Sequence, residues 1–154
     1  MSLNLTSNAF NQGQPIPERY TYDKQDLSPD LKWTGVPATA KSLALICDDP
    51  DAPAGTWVHW VLCGVAASTT NLPAGLPKSP TLDSGAKQGI NDYKKLGYGG
   101  PCPPPGKPHR YFFKLYALDN LPELKPGFTK ADLLKAMDGH ILAEGQLMGT
   151  YQRK

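Results

Sequence analysis

Two short stretches of the chain collect the side chains that could bind or move charge. The first, Asp48-Asp49-Pro50-Asp51-Ala52-Pro53, puts three carboxylates in a turn just ahead of Trp57-Val58-His59-Trp60. Its prolines fix φ and remove donors, which holds the carboxylates in one geometry. The second runs from Gly97 to Tyr111 and contains Gly99, Gly100, Cys102, four prolines between 101 and 105, His109, Arg110 and Tyr111. Glycines there let a ligand approach backbone amides, and prolines stiffen the wall around it.

Three chemistries fit these types. Imidazolium and a phenol donate hydrogen bonds while a carboxylate sets tautomer and charge, so His59, His109, Tyr111 and Asp49 can hold an anion such as a phosphate monoester. Cys102 with His59 or His109 as base and Asp49 as orienter would make a thiol hydrolase. Two histidines and a carboxylate would also suit a metal ion, although neither histidine falls in a metal-ligand spacing motif. Against all three stand plainer readings: an Asx-type turn at Asp49 and Asp51, a proline-rich surface loop, and histidines satisfied in a core. The two rigid loops taken together favour a shared anion pocket. Cys102 sits between prolines with no helix start or basic neighbour to lower its pKa, which weakens the thiol reading.

Strands must position these groups. Ser42 to Asp48 is a nearly continuous apolar run, as in a strand buried on both faces, and period two places Leu43, Leu45, Cys47 and Asp49 on one side. Trp57 to Val65 is a second strand, with Val58, Trp60 and Leu62 on one face and His59 among Val61 and Cys63 on the other. Arg110 to Asp119 is a third, with His109, Tyr111, Phe113 and Leu115 facing one way. Leu31 to Thr34 reads as an edge strand, and Asn4 to Tyr22 as irregular. Residues 68–105 read as a long excursion over the surface, a common place for function. Thr129 to Met137 is the one good helix, capped by Thr129 with Asp132 at its third position and a Phe128 to Leu133 staple, and ended by Asp138-Gly139. Ile141 to Tyr151 is a last strand, with Gly145 and Gly149 as bulges or turns. The sum is a mostly β chain, a Greek-key antiparallel β sandwich with one short helix near the C-terminus.

Size and charge set the frame. A chain of 154 residues buries roughly 68 to 70% of its unfolded surface, which suits one domain over residues 1–154. The net charge of +2 comes from 16 basic and 14 acidic residues with no basic run longer than two, so no footprint for nucleic acid or a membrane surface is expected. The longest apolar run, residues 43–47, is far below the about 20 residues of a bilayer span, so no integral membrane contact is expected. No leader pattern opens the chain and the three cysteines form no CxxC pair, which points to a reduced, cytoplasmic setting. A signal peptide removed earlier stays open.

DPDAP followed by WxHW, then GYGGPCPPPGKPHRY, resembles the two signature regions of the phosphatidylethanolamine-binding proteins, in their bacterial and archaeal Raf-kinase-inhibitor-like branch. The likeness extends through Ser28-Pro29, Trp33 to Pro37, Ser68 to Thr70, Gly139 to Ala143 and Gly149 to Tyr151. It implies a β sandwich whose pocket binds phosphate-like anions, with Asp49, Pro53, Trp57 and His59 from the first signature and Gly100, Pro103, His109 and Tyr111 from the second. It places Arg110 on a carboxylate behind the site and leaves Asp51 to order its own turn. No cofactor and no turnover are implied. Partners would be a phosphate-bearing small molecule or a phosphorylated headgroup or residue, with a protein kinase and a homodimer also suggested. The chain departs from vertebrate members in its GGPCPPPGKP loop and in stopping at Lys154 without their pocket-closing helix. Headgroup selectivity and kinase inhibition therefore do not carry over.

Overall fold

A computed structural model describes residues 2–154. In chain order its strands are β1 (Asn4–Thr6), β2 (Leu31–Thr34), β3 (Ser42–Asp49), β4 (Trp57–Ala66), β5 (Asn71–Leu72), β6 (Lys87–Gln88), β7 (His109–Leu118) and β8 (Ile141–Tyr151), with helix α1 (Lys130–Met137) ahead of β8. One sheet has the order β6-β4-β3-β7-β8 and the other β1-β2-β5, and the strands pair antiparallel throughout. In the large sheet β3, β4 and β6 are successive neighbours and β7 returns beside β3, which is a Greek key.

The continuous apolar run of β3 is explained by its two neighbouring layers. Leu43, Leu45 and Cys47 pack with Leu5, Leu31 and Trp33 of the small sheet, while Ala44 and Ile46 pack with Leu133 and Met137 of α1. A strand covered on both sides has no polar face to show. The helix starts as its sequence dictates: the Thr129 hydroxyl accepts the Asp132 N–H and the Asp132 carboxylate accepts the Thr129 N–H.

Four expectations need correction. Leu31–Thr34 is the middle of the small sheet, not an edge, because residues 4–6 of the supposedly irregular N-terminus pair with it; a three-residue strand is too short to show a period. The excursion at 68–105 does not simply cross the surface. Asp92 N–H donates to Val58 O, Gly89 N–H to Val61 O and Gly99 N–H to His59 O, so the loop runs along the free edge of β4. Its polar residues hold it in place: buried Asn91 caps its own turn through Tyr93 N and Gly97 O, and buried Gln88 accepts Trp60 Nε1–H from β4. Gly145 and Gly149 lie in regular register opposite Leu115 and Tyr111, so they are neither bulges nor turns. They are glycines because the N-terminal segment crosses there, and a Cβ on Gly149 would lie 2.6 Å from Ile16 Cγ1.

The fourth correction bears on function. β4 carries two register shifts against β3, one near Gly64, whose φ is +72°, and one at His59, which stands unpaired between Val58 opposite Asp48 and Trp60 opposite Cys47. Each extra residue flips the faces beyond it. Val58 therefore joins Val61 and Cys63 on the helix side, while the His59 ring turns to the opposite face, against Tyr111.

Candidate functional site

The bulge at His59, the end of β3 and the start of β7 meet at one end of the sandwich. There a cavity of about 200 Å³ is lined by Asp49, Pro53, Trp57, His59, Pro103, His109 and Tyr111, seven of the eight residues singled out in the sequence. A wider hollow of about 580 Å³ lies on the small sheet, where Asp30, Lys32 and Trp33 stand among Asn and Thr residues and no histidine is present.

Asp49, 3% exposed, uses both oxygens. Oδ1 accepts the Asp51 N–H at 2.7 Å, and Oδ2 lies 2.7 Å from His109 Nδ1. A carboxylate only accepts, so Nδ1 of His109 carries the proton and Nε2 is left free. His59 is fixed the same way by a carbonyl: its Nδ1 lies 2.6 Å from Gly99 O, while Gly99 N–H returns a bond to His59 O. Burial, the largest influence on this imidazole, pushes its pKa below the ordinary 6.5, so at neutral pH it is uncharged with a free Nε2. Its ring stands edge-on to Tyr111 at 5.2 Å and to Tyr93 at 5.8 Å.

Two residues that line this cavity carry buried donors with no partner among the described residues, Trp57 Nε1–H and the Tyr111 O–H. Buried polar groups are nearly always paired, and each one left alone costs about 1–3 kcal/mol. The site thus offers two orphan donors and two imidazole nitrogens held in known tautomers.

A sequence profile described as phosphatidylethanolamine-binding protein matches residues 6–152. The chain belongs to that family. It is 53% identical to the UPF0098 protein of Methanothermobacter thermautotrophicus over 151 residues, covering 98% of this chain and 99% of that one. The UPF0098 protein of Aquifex aeolicus is 47% identical over 98% of this chain and 89% of its own. Among solved structures, a phosphatidylethanolamine-binding protein homologue from Chlamydia trachomatis superposes with a TM-score of 0.90 at 42% identity, covering 99% of both chains. Escherichia coli YbcL, described as a new member of the mammalian family, superposes at 0.91 with 32% identity over the whole of both chains.

Within this family member the eighth residue, Gly100, stands behind the wall instead of in it. Its N–H donates to Asp26 Oδ1 at 2.6 Å and its carbonyl accepts the Tyr93 hydroxyl at 2.7 Å. A Cβ there would lie 2.6 Å from Tyr20 O, so the glycine serves close packing. The Gly99 and Gly100 amides are both committed, so neither of these two is a free backbone donor. The donors left without a partner on the cavity-lining residues are side chains, those of Trp57 and Tyr111.

Arg110 does reach a carboxylate, and it is Asp51. Nε and Nη2 each make a 2.9 Å bond to it, and the Arg110 N–H adds a third. Asp51 therefore ties the first signature turn to β7 instead of ordering only itself, and the Arg110 hydrogen bond holds its carboxyl below the usual range.

Tyr93, Ala52, Cys102 and Pro104 complete the lining. Tyr93 was missed because it sits in a polar turn with no period to mark it. Its ring meets Trp57 edge-on at 5.5 Å and stacks on Tyr22 at 4.8 Å. Cys102 has a basic neighbour after all, Arg153 Nη1 at 3.8 Å, but burial outweighs it and pushes the thiol pKa up. Among the described residues neither histidine hydrogen-bonds that sulfur, so it is a neutral wall group. The same residues contain no group of three or more His, Cys, Asp or Glu arranged to hold a metal ion, and no helix long and apolar enough to cross a membrane.

Proposed function

We propose that the cavity between β3, β4 and β7 binds the phosphate group of a small molecule, a headgroup or a phosphorylated residue, without turning it over. The observation that carries this reading is the pair of orphaned donors, Trp57 Nε1–H and Tyr111 O–H, beside the free Nε2 atoms of His59 and His109. A fully ionised phosphate ester offers only acceptors, which is what two unpaired donors call for. Its negative charge also favours protonation of His59, turning that Nε2 into a third donor. Asp49 holds the His109 ring in place from behind through Nδ1. A neutral thiol and two pinned histidines provide binding groups but no activated nucleophile. Kinase regulation, a homodimer and a cytoplasmic location rest on the family resemblance and the composition, and this reading does not require them.

Thermal denaturation of wild type and Trp57→Phe, titrated with phosphate, phosphoethanolamine and ethanolamine, tests it. Both phosphorylated compounds should raise the wild-type midpoint saturably and ethanolamine should not. At a hundred times the dissociation constant the gain is about 2.7 kcal/mol. Trp57→Phe keeps a ring and loses the N–H, so it should need about tenfold more phosphate. No shift in wild type, an equal shift with ethanolamine, or an unchanged titration in Trp57→Phe would refute the reading.

A further inference from the structure

Asp48, next to Asp49 in sequence, points to the opposite face of β3 and is 1% exposed. A carboxylate so far from water needs a counter-charge, and Asp48 has two. Lys114 Nζ lies 3.2 Å from Oδ1 and Lys130 Nζ 2.7 Å from Oδ2. Two ammoniums against one carboxylate leave one positive charge in excess. Each ammonium also has three protons to donate, more than Asp48 takes up.

The placement of Lys130 sharpens the imbalance. It is the first residue of α1, where the helix macrodipole disfavours a cation. The acidic residue of that turn, Asp132, accepts the Thr129 N–H and makes no ion pair with Lys130, whose ammonium turns to Asp48. Across from Lys114 on β8 stands neutral Gln146. Asp48, Lys114, Lys130 and Gln146 line a hollow of about 240 Å³ whose wall also holds Pro50, Thr56 and Phe112, with the Lys114 ammonium 5.9 Å from the Phe112 ring centre.

We propose that this hollow is a second anion site, on the other side of β3 from the His59 and His109 cavity, for a singly charged carboxylate borne on a flat apolar body. The charge count selects the ligand: one negative charge neutralises the excess, while a dianion would leave an uncompensated charge against Asp48. Phe112, whose ring also has the Arg110 guanidinium 5.5 Å from its centre, and Pro50 give the apolar body its contact.

Amide NMR of labelled protein titrated with benzoate, benzamide and inorganic phosphate reads this site directly. Benzoate should shift the amides of Lys114, Lys130 and Gln146 saturably, and benzamide should not. Lys130→Gln and Lys114→Gln, removing the excess charge from the helix and from the strand respectively, should each weaken benzoate about tenfold or more. Should one of them not fold, the other is decisive. Trp57→Phe should leave this titration unchanged, which separates it from the first cavity. The proposal is overturned if benzoate leaves these amides unmoved, if benzamide moves them equally, if phosphate binds there more tightly than benzoate, or if a folded lysine variant binds benzoate as wild type does.

Discussion

Tyr111→Phe should move stability and binding in opposite directions. In the free protein the Tyr111 side chain is 1% exposed and its hydroxyl has no protein partner. Replacing it with hydrogen removes a buried orphan and breaks no hydrogen bond. The residue lines the cavity, so the change is made at the edge of the packed core. The desolvation cost of such a group is about 1–3 kcal/mol. Taking the lower end to allow for lost dispersion contacts, the variant should be about 1 kcal/mol more stable. For a chain of this size that raises the melting midpoint by about 2–4 °C. With phosphate the order reverses. One charge-assisted bond fewer reduces affinity by about tenfold, equal to about 1.4 kcal/mol, so at fixed subsaturating phosphate the ligand-induced rise is smaller than in wild type. Calorimetry of both proteins with and without phosphate measures both effects. A variant less stable than wild type without ligand, together with an unchanged phosphate response, would show that the hydroxyl is neither orphaned nor used.

Two further outcomes follow from the same geometry. Burial lowers the His59 pKa from 6.5, so the folded state resists a proton that the unfolded state accepts; this part of the stability is present above pH 6.5 and is lost as pH falls through the folded value. A bound dianion reverses that preference, so the midpoint gained with sulfate, which does not titrate there, should widen between about pH 7.5 and about pH 5.5; a constant gain would exclude proton uptake on binding. Gly100→Ala would bring a Cβ to 2.6 Å from Tyr20 O and 2.8 Å from Thr21 Cα, both backbone atoms that cannot rotate away. It should cost about 1–3 kcal/mol by overpacking and weaken phosphate by displacing the Tyr93 hydroxyl from Gly100 O; a variant with the wild-type midpoint would show that the loop is free to yield.

How far the chain could be read depends on how far its period runs unbroken. β3 and β7 are regular against each other, Ser42 opposite Leu118 through Asp48 opposite Phe112, and there alternation alone placed Asp49, Tyr111, Phe113 and Leu115 on the correct face. β4 looked equally regular in sequence, yet the shift at His59 sends that ring to the side opposite the one alternation assigns. Nothing local announces it, because a bulge at a non-glycine residue is selected by what the side chain finds on the other side. Here that is Gly99 O, forty residues away in a loop whose own course is set by Asn91 and Asp26. The short strand β1 and the partners of Asp48 were hidden for a related reason: each depends on contacts between distant segments. Two adjacent acids show the division clearly. Period two alone sends Asp48 and Asp49 to opposite faces of β3, but only the fold decides that one meets a single histidine and the other two lysines. Asp49 thereby becomes the balanced back wall of one cavity, while Asp48 is left with more positive charge than it can neutralise.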